Sequence, residues 1–184
     1  RFSATLEELP GGGWVFTRQH FEVFEFDSVG RLVGAGDQFD NMTTVTYGAG
    51  GLADFMEDEA GRRMDFGWDG GRLVSVQNQF SPSFLSSEPE LELCDELGIA
   101  FLPWSPLGGI KSAAELGSRF SVFQEVADEV GASPQQVTLA WMLAKSPYVL
   151  PIPGSSRPET ILASVAAAEI TLSGEQRRRL DATV

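Results

Sequence analysis

Val149-Leu150-Pro151-Ile152-Pro153-Gly154-Ser155-Ser156-Arg157-Pro158-Glu159-Thr160-Ile161 reads as a short buried strand, a tight polar turn and the start of a helix. The strand portion is apolar and β-branched at its core. Gly154 lets the backbone approach a ligand with no Cβ in the way. Pro158 suits the first helical position, where its missing N–H costs nothing. Ahead of the helix lie free N–H groups, two hydroxyls and Arg157, a combination that suits an anion, a phosphate above all. The plain alternative is a capped strand-to-helix turn with a solvated Arg.

Working outward, the same alternation recurs over residues 77–184. Val76–Phe80 reads as a strand. Ser87 is placed to cap a helix through Leu97, with Pro89 in its first turn and Gly98 as its stop. Ile99–Leu102 reads as a buried strand and Phe120–Val130 as a helix ended by Gly131. Ser133-Pro134-Gln135-Gln136 is a capping box opening a helix to about Ala144. Pro158 to about Ala168 is a further helix, and Ser173-Gly174-Glu175-Gln176 opens the last one. This β-α-β-α(α)-β-α order predicts parallel strands with crossover helices.

Parallel sheets place ligands at the C-terminal ends of their strands. The informative residues are therefore Gln77-Asn78-Gln79, Trp104-Ser105-Pro106-Leu107-Gly108 and Gly154-Ser155-Ser156-Arg157. An amide, an indole face and an anion cradle at successive strand ends suit a nucleotide with an aromatic base and phosphates. Trp104 taken alone reads more readily as a core aromatic.

Residues 1–76 differ in character. They are rich in Gly, Phe, Thr and Asp and contain one Pro. Strand-like pieces occur at Trp14–Thr17, Phe21–Phe26, Thr43–Tyr47 and Met64–Trp68, several alternating apolar and polar. Asp-containing, Gly-rich turns separate them. Aromatics recur at Phe26, Tyr47 and Trp68, each 21 residues after the last, followed by Asp27, Gly48 and Asp69. Turns then lead to Gly30-Arg31-Leu32-Val33, Gly51-Leu52-Ala53 and Gly71-Arg72-Leu73-Val74, and Asp37 and Asp58 keep the same spacing. This pattern predicts a chain of β-hairpins, each stacking its aromatic on the next, since one hairpin alone is marginal in water. A plain antiparallel meander is the simpler alternative.

Composition bounds the rest. The chain has 184 residues, enough for one domain or two small ones, and 42% of them are hydrophobic, which supplies a core. No apolar run reaches the roughly 18 residues a membrane span needs. Residue 1 is Arg, with no initiator Met and no signal-like segment; this is the pattern of a fragment of something longer. The net charge of −13 argues against nucleic acid and anionic membrane surfaces as partners. The single cysteine, Cys94, excludes an internal disulfide and reads as core on an apolar helix face. One Cys and one His cannot build a zinc site, so no metal is expected.

Two family resemblances follow from these motifs. Over about residues 12–76, Phe-Asp-x-x-Gly-Arg-Leu at its spacing resembles the YD repeats of bacterial Rhs and teneurin-like proteins. The middle unit departs from that pattern, with Gly48 for Asp and no Arg before Leu52. In that family the repeats form a shell around a toxin cargo, and three units supply only a patch of wall. Over about residues 76–182, three motifs in order resemble the C-terminal half of an aldo-keto reductase barrel. They are Gln77-Asn78-Gln79-Phe80-Ser81, Trp104-Ser105-Pro106-Leu107-Gly108 and Ile152-Pro153-Gly154-Ser155-Ser156-Arg157-Pro158-Glu159.

The second resemblance implies that Gln77 contacts a nicotinamide carboxamide and that Trp104 stacks on the ring. It implies that Ser105 and Leu107 line the pyrophosphate path, and that Gly154, Ser155 and Arg157 hold the 2′-phosphate of NADPH. The family's adenine-side Glu and Asn fall at Ala163 and Ser164, which weakens that grip. It also implies a cytoplasmic location, unless the repeat half dictates export. The family's proton donor Tyr, with its Lys, Asp and His, comes from the absent first half of the barrel. His20, Tyr47, Tyr148, Lys111 and Lys145 do not match that tetrad in order or spacing, so no catalytic residue is assigned.

The expected fold is thus mixed α+β: antiparallel β-hairpin repeats over 1–75, then a partial (β/α) barrel over 76–184. The two patterns meet inside one strand at Val76, like a splice of two coding segments. The expected function is NADP(H) binding by a reductase-derived half-domain, weak or vestigial, without independent carbonyl reductase activity. A non-enzymatic repeat scaffold is the alternative. The expected partners are a dinucleotide and either a partner chain or a second copy meeting it through open sheet edges.

Overall fold

A computed structural model describes residues 4–18, 22–37, 39 and 41–184; His20 and Phe21, both named above, lie outside the described residues. The chain divides into two compact units, Arg1–Gly71 and Arg72–Val184.

The first unit is a meander of β1 (Thr5–Glu8), β2 (Trp14–Arg18), β3 (Glu22–Phe26), β4 (Leu32–Gly36), β5 (Met42–Tyr47), β6 (Ala53–Glu57) and β7 (Arg63–Asp69). Each strand pairs antiparallel with the next. One turn geometry closes Leu9–Gly13, Asp27–Arg31, Gly48–Leu52 and Asp58–Arg62. The first residue's N–H donates to the fifth carbonyl, and the fourth N–H donates to the first carbonyl, at 2.9–3.0 Å. The fourth residue is Gly at φ 74–85° in each, a left-handed position that side chains resist.

Asp side chains complete several of these turns. Asp27 Oδ1 accepts from the Val29 and Arg31 N–H groups, and Oδ2 accepts from Arg31 Nε. Asp58 repeats this with Ala60 and Arg62, and Asp37 does so with Phe39 and Asn41. The aromatics act as straps: Tyr47 Oη donates to the Leu32 carbonyl at 2.8 Å and Trp68 Nε1 to the Ala53 carbonyl at 2.7 Å. No hydrophobic side chain of this unit is fully buried among the described residues. Its order therefore leans on turn and strap hydrogen bonds.

That dependence makes the unit acid-sensitive. The Arg31 N–H holds the Asp27 carboxyl below its ordinary range, the Asn41 amide does so for Asp37, and the Arg62 N–H for Asp58. Each carboxylate is favoured in its charged form by folding. The resulting stabilisation is complete above about pH 4 and is lost as pH falls through the lower folded-state values. Asp58→Asn is expected to lower the melting temperature at pH 7 and to flatten its fall below pH 4. Thermal melts across pH check this; parallel curves for the two proteins would refute it.

The second unit is built on β8 (Arg72–Gln79) and β9 (Ala100–Trp104), parallel and in register from Ser75 opposite Ala100 to Gln79 opposite Trp104. Around them lie α1 (Glu88–Leu97), α2 (Ile110–Arg119), α3 (Ser121–Val130), α4 (Pro134–Leu143), α5 (Pro158–Ala166) and α6 (Gly174–Asp181). Gly98 and Gly131 end α1 and α3 in the left-handed conformation, and Ser133 and Ser173 form full capping boxes. Three expectations need correction. Ser87 stands at the cap position of α1, but its side chain makes no cap bond. Ile110–Arg119 is a helix, where the expected order of elements has none. The third strand is not a continuous one: Val149 bridges Phe101 and Ile152 bridges Trp104, with no ladder between. Leu150 N–H donates to the Phe101 carbonyl and Ile152 N–H to the Pro103 carbonyl. The bond that should join them needs an N–H at Pro103, which has none.

Trp141 centres the core of this unit. It stacks on Phe80 at 5.8 Å and meets the edge of Phe123 at 5.8 Å, and Phe101 meets Phe80 edge-on. Trp141 Nε1 donates to Asp181 at 2.7 Å, and the Lys145 ammonium sits 4.6 Å over its ring while pairing with Glu88. Cys94 is buried on α1, and burial pushes its thiol pKa up. No helix among the described residues is long and apolar enough to cross a membrane.

Candidate functional site

The parallel register carries the three motif-bearing segments to one end of the second unit: Gln79, Trp104 and Ile152 are neighbours across the strands. Side chains alternate along each strand. Val76, Phe101, Pro103 and Val149 are buried toward the helices. Gln77, Gln79, Leu102 and Trp104 are half-exposed, and Leu150 and Ile152 exposed, on the other face.

Gln77 and Trp104 therefore share the uncovered face. Trp104 takes no part in the Phe80–Phe101–Phe123–Trp141 cluster, which removes the core reading for it. Neither the Gln77 amide nor the Trp104 indole N–H has a side-chain hydrogen bond among the described residues. Both are open to a ligand.

Beyond β9 the chain turns sharply. Ser105 has φ 53°, rare for a side-chain-bearing residue, and Gly108 N–H donates to the Ser105 carbonyl at 2.8 Å across Pro106 and Leu107. Gly108 and Gly109 continue at φ 75° and 91°. α2 then begins with no side-chain cap, so its first N–H groups are free for an anion. Leu107 and Gly108 also border a small cleft with Ser83, Ser112 and Arg119. The start of α2 was missed at the sequence level. The signal for it was the Gly-Gly pair followed by Ala113-Ala114-Glu115-Leu116.

At the third segment, Gly154 has open space where a Cβ would stand. Ser155 is folded back: its hydroxyl donates to the Arg157 carbonyl at 2.9 Å and accepts from the Arg157 N–H at 3.2 Å. The turn thus builds itself from one of the two hydroxyls expected to face the anion. Arg157 precedes α5, is exposed, and makes no ion pair among the described residues. On the adenine side, Ala163 is exposed and the Ser164 hydroxyl is back-bonded to the Thr160 carbonyl at 3.0 Å. Tyr148 begins the third segment, about 13 Å along the chain from Ile152. Lys145 is held by Glu88 and Asp181, and Tyr47 straps the first unit.

Comparison with known proteins bears on the second unit. The model of the aldo/keto reductase family matches residues 69–184. The oxidoreductase C215.11c of Schizosaccharomyces pombe is 38% identical over 109 residues, covering 59% of this chain and 34% of that protein. Pyridoxine 4-dehydrogenase of Escherichia coli is 35% identical over 109 residues, covering 59% and 36%. The chain spans about a third of the length of these relatives. Among solved structures, the thermostable aldo-keto reductase Tm1743 overlays with TM-score 0.56 at 29% identity, covering 63% of this chain and 42% of that one. Gox0644, solved as a D53A mutant in complex with NADPH, overlays with TM-score 0.52 at 20% identity, covering 62% and 40%, and bears on the fold alone. The second unit is mixed α/β and fits a partial (β/α) barrel. By the match over residues 69–184, this chain belongs to the aldo/keto reductase family.

Proposed function

We propose that the second unit binds NADP(H) and has no independent carbonyl reductase activity. The observation that carries this is the parallel register that sets Gln77 and Trp104 on one uncovered sheet face, with Arg157 five residues beyond the Ile152 bridge to Trp104; among the described residues none of the three side chains has a hydrogen bond or ion pair. The residues fit the group. Gln77 would hold the carboxamide and Trp104 would cover one face of the nicotinamide. Ser105, Leu107 and the free N–H groups of α2 would follow the pyrophosphate. Gly154, Ser155 and Arg157 would take the 2′-phosphate. The bound dinucleotide would supply hydride chemistry. Ala163 and the self-satisfied Ser164 offer the adenine little, which makes the site weak.

Reduction of a carbonyl also needs a proton donor in fixed geometry. Tyr148 lies at the far end of its segment and Lys145 is committed to an ion pair, so neither serves that role. A cytoplasmic location goes with this reading. Thermal melting with and without NADPH tests it, because a ligand that binds only the folded state must raise the midpoint. A concentration-dependent rise is expected. No rise at millimolar NADPH would end the proposal.

A second reading concerns residues 1–71. The strap bonds at Tyr47 and Trp68 are 21 residues apart, as are the strand irregularities at Phe26 and Tyr47. The Asp turns at 37 and 58 keep the same interval. This recurrence favours a YD-like repeat scaffold that assembles through strand edges. It predicts oligomers that survive without NADPH; a strictly monomeric chain would count against it.

A further inference from the structure

We propose that the second unit takes 2′-phosphorylated nicotinamide dinucleotides without reading their purine base: the residues around Arg157 present nothing that tells adenine from hypoxanthine. This inference rests on the NADP(H) reading and narrows recognition to two groups of the ligand, the carboxamide and the 2′-phosphate.

In NADP(H) the base and the 2′-phosphate occupy neighbouring carbons of one ribose. Whatever holds the phosphate therefore has the base beside it. Arg157 directly precedes α5. The groups at hand are the Gly154–Ser156 turn, the first two turns of α5, and any side chain that reaches α5 from α4. Adenine carries an amine, a donor, where hypoxanthine carries a carbonyl, an acceptor, and the adjacent ring nitrogen reverses from acceptor to donor. A site separates the two strongly only with a donor or acceptor committed to one of them and shielded from water.

The groups that could do this are engaged elsewhere or absent. The Ser155 hydroxyl is bonded to the Arg157 backbone both as donor and as acceptor. Ile161, Leu162 and Ala163 are exposed and carry no polar side-chain atom. The Ser164 hydroxyl donates to the Thr160 carbonyl at 3.0 Å. From α4, the Gln136 amide donates to the Ala163 carbonyl at 3.1 Å, and its oxygen accepts from the Ser133 N–H and hydroxyl at 3.0 Å. Ser156, Glu159 and Thr160 remain. A hydroxyl rotates to donate or to accept, so Ser156 and Thr160 suit the amine and the carbonyl alike. The Glu159 carboxylate only accepts and favours the amine, but it is exposed. A bond to it replaces one to water and discriminates weakly.

The test titrates the intact chain calorimetrically with NADPH, with its hypoxanthine counterpart and with NADH. NADPH and the hypoxanthine form should bind within about threefold of each other, and NADH at least about tenfold more weakly. In Glu159→Gln the ratio of the two phosphorylated forms should stay within that band. A hypoxanthine form bound about tenfold or more weakly than NADPH would overturn the inference and leave the NADP(H) reading standing. A ratio that leaves the band in Glu159→Gln would overturn it as well, since that carboxylate would then be reading the base. NADH bound as tightly as NADPH would remove the anchor that places the base, with the same result. No binding of any of the three would end both readings.

Discussion

Arg157→Ala is expected to lower NADPH affinity by roughly 10- to 100-fold while leaving NADH binding and folding unchanged. A charge-assisted hydrogen bond to a phosphate contributes about 1.5–3 kcal/mol, which converts to that range. Arg157 is exposed, makes no side-chain cap bond on α5 and no ion pair among the described residues. Its removal therefore breaks nothing in the folded chain, and a stability change within about 0.5 kcal/mol is expected. The Ser155 hydroxyl is committed to the Arg157 backbone and compensates poorly. Arg157→Lys should fall between, keeping the charge and losing the planar fork. Calorimetric titration with both dinucleotides measures this. Equal loss for NADH, or unchanged NADPH affinity, would remove the 2′-phosphate assignment.

Trp141→Ala is expected to destabilise the second unit by about 3–5 kcal/mol, the range for deleting a large buried aromatic. Against a stability of about 5–15 kcal/mol for a whole domain, that is a large share of the margin. Trp141 is 1% exposed. Its loss leaves a cavity against Phe80 and Phe123, strips Asp181 of its indole donor and takes the ring from under Lys145. Trp141→Phe separates these effects, retaining a ring and losing the N–H, at about 1–3 kcal/mol. Urea unfolding followed by circular dichroism reads both. A loss under about 1 kcal/mol for the Ala variant would show that the aromatic cluster is not the core.

Much of the second unit was legible because its signals are local. Gly98 and Gly131 stop helices through a backbone conformation that belongs to one residue, and the Ser133 and Ser173 boxes close within four residues. Ser87 shows the limit of such signals, since it is buried and caps nothing with its hydroxyl. α2 escaped because its start is two glycines in left-handed conformation, which read equally as a loop. In the first unit the Asp-to-Arg turns were visible as spacing. The carboxylate hydrogen bonds behind them span at most four residues.

The site divides in the same way. The sequence by itself determined the order of the motifs that hold Gln77, Trp104, Ser105, Leu107, Gly154, Ser155 and Arg157, the residues proposed to bind the dinucleotide. Only the tertiary structure decided that Trp104 faces away from the core, that Ser155 bonds to its own turn, and that α5 shows its aliphatic side to water. Pro103 likewise breaks the ladder of a segment nearly fifty residues later in the chain. Capping and turn preferences act over a few bonds and can be read along the chain. The face a side chain presents, and the partner a backbone group finds, depend on which distant segment packs beside it.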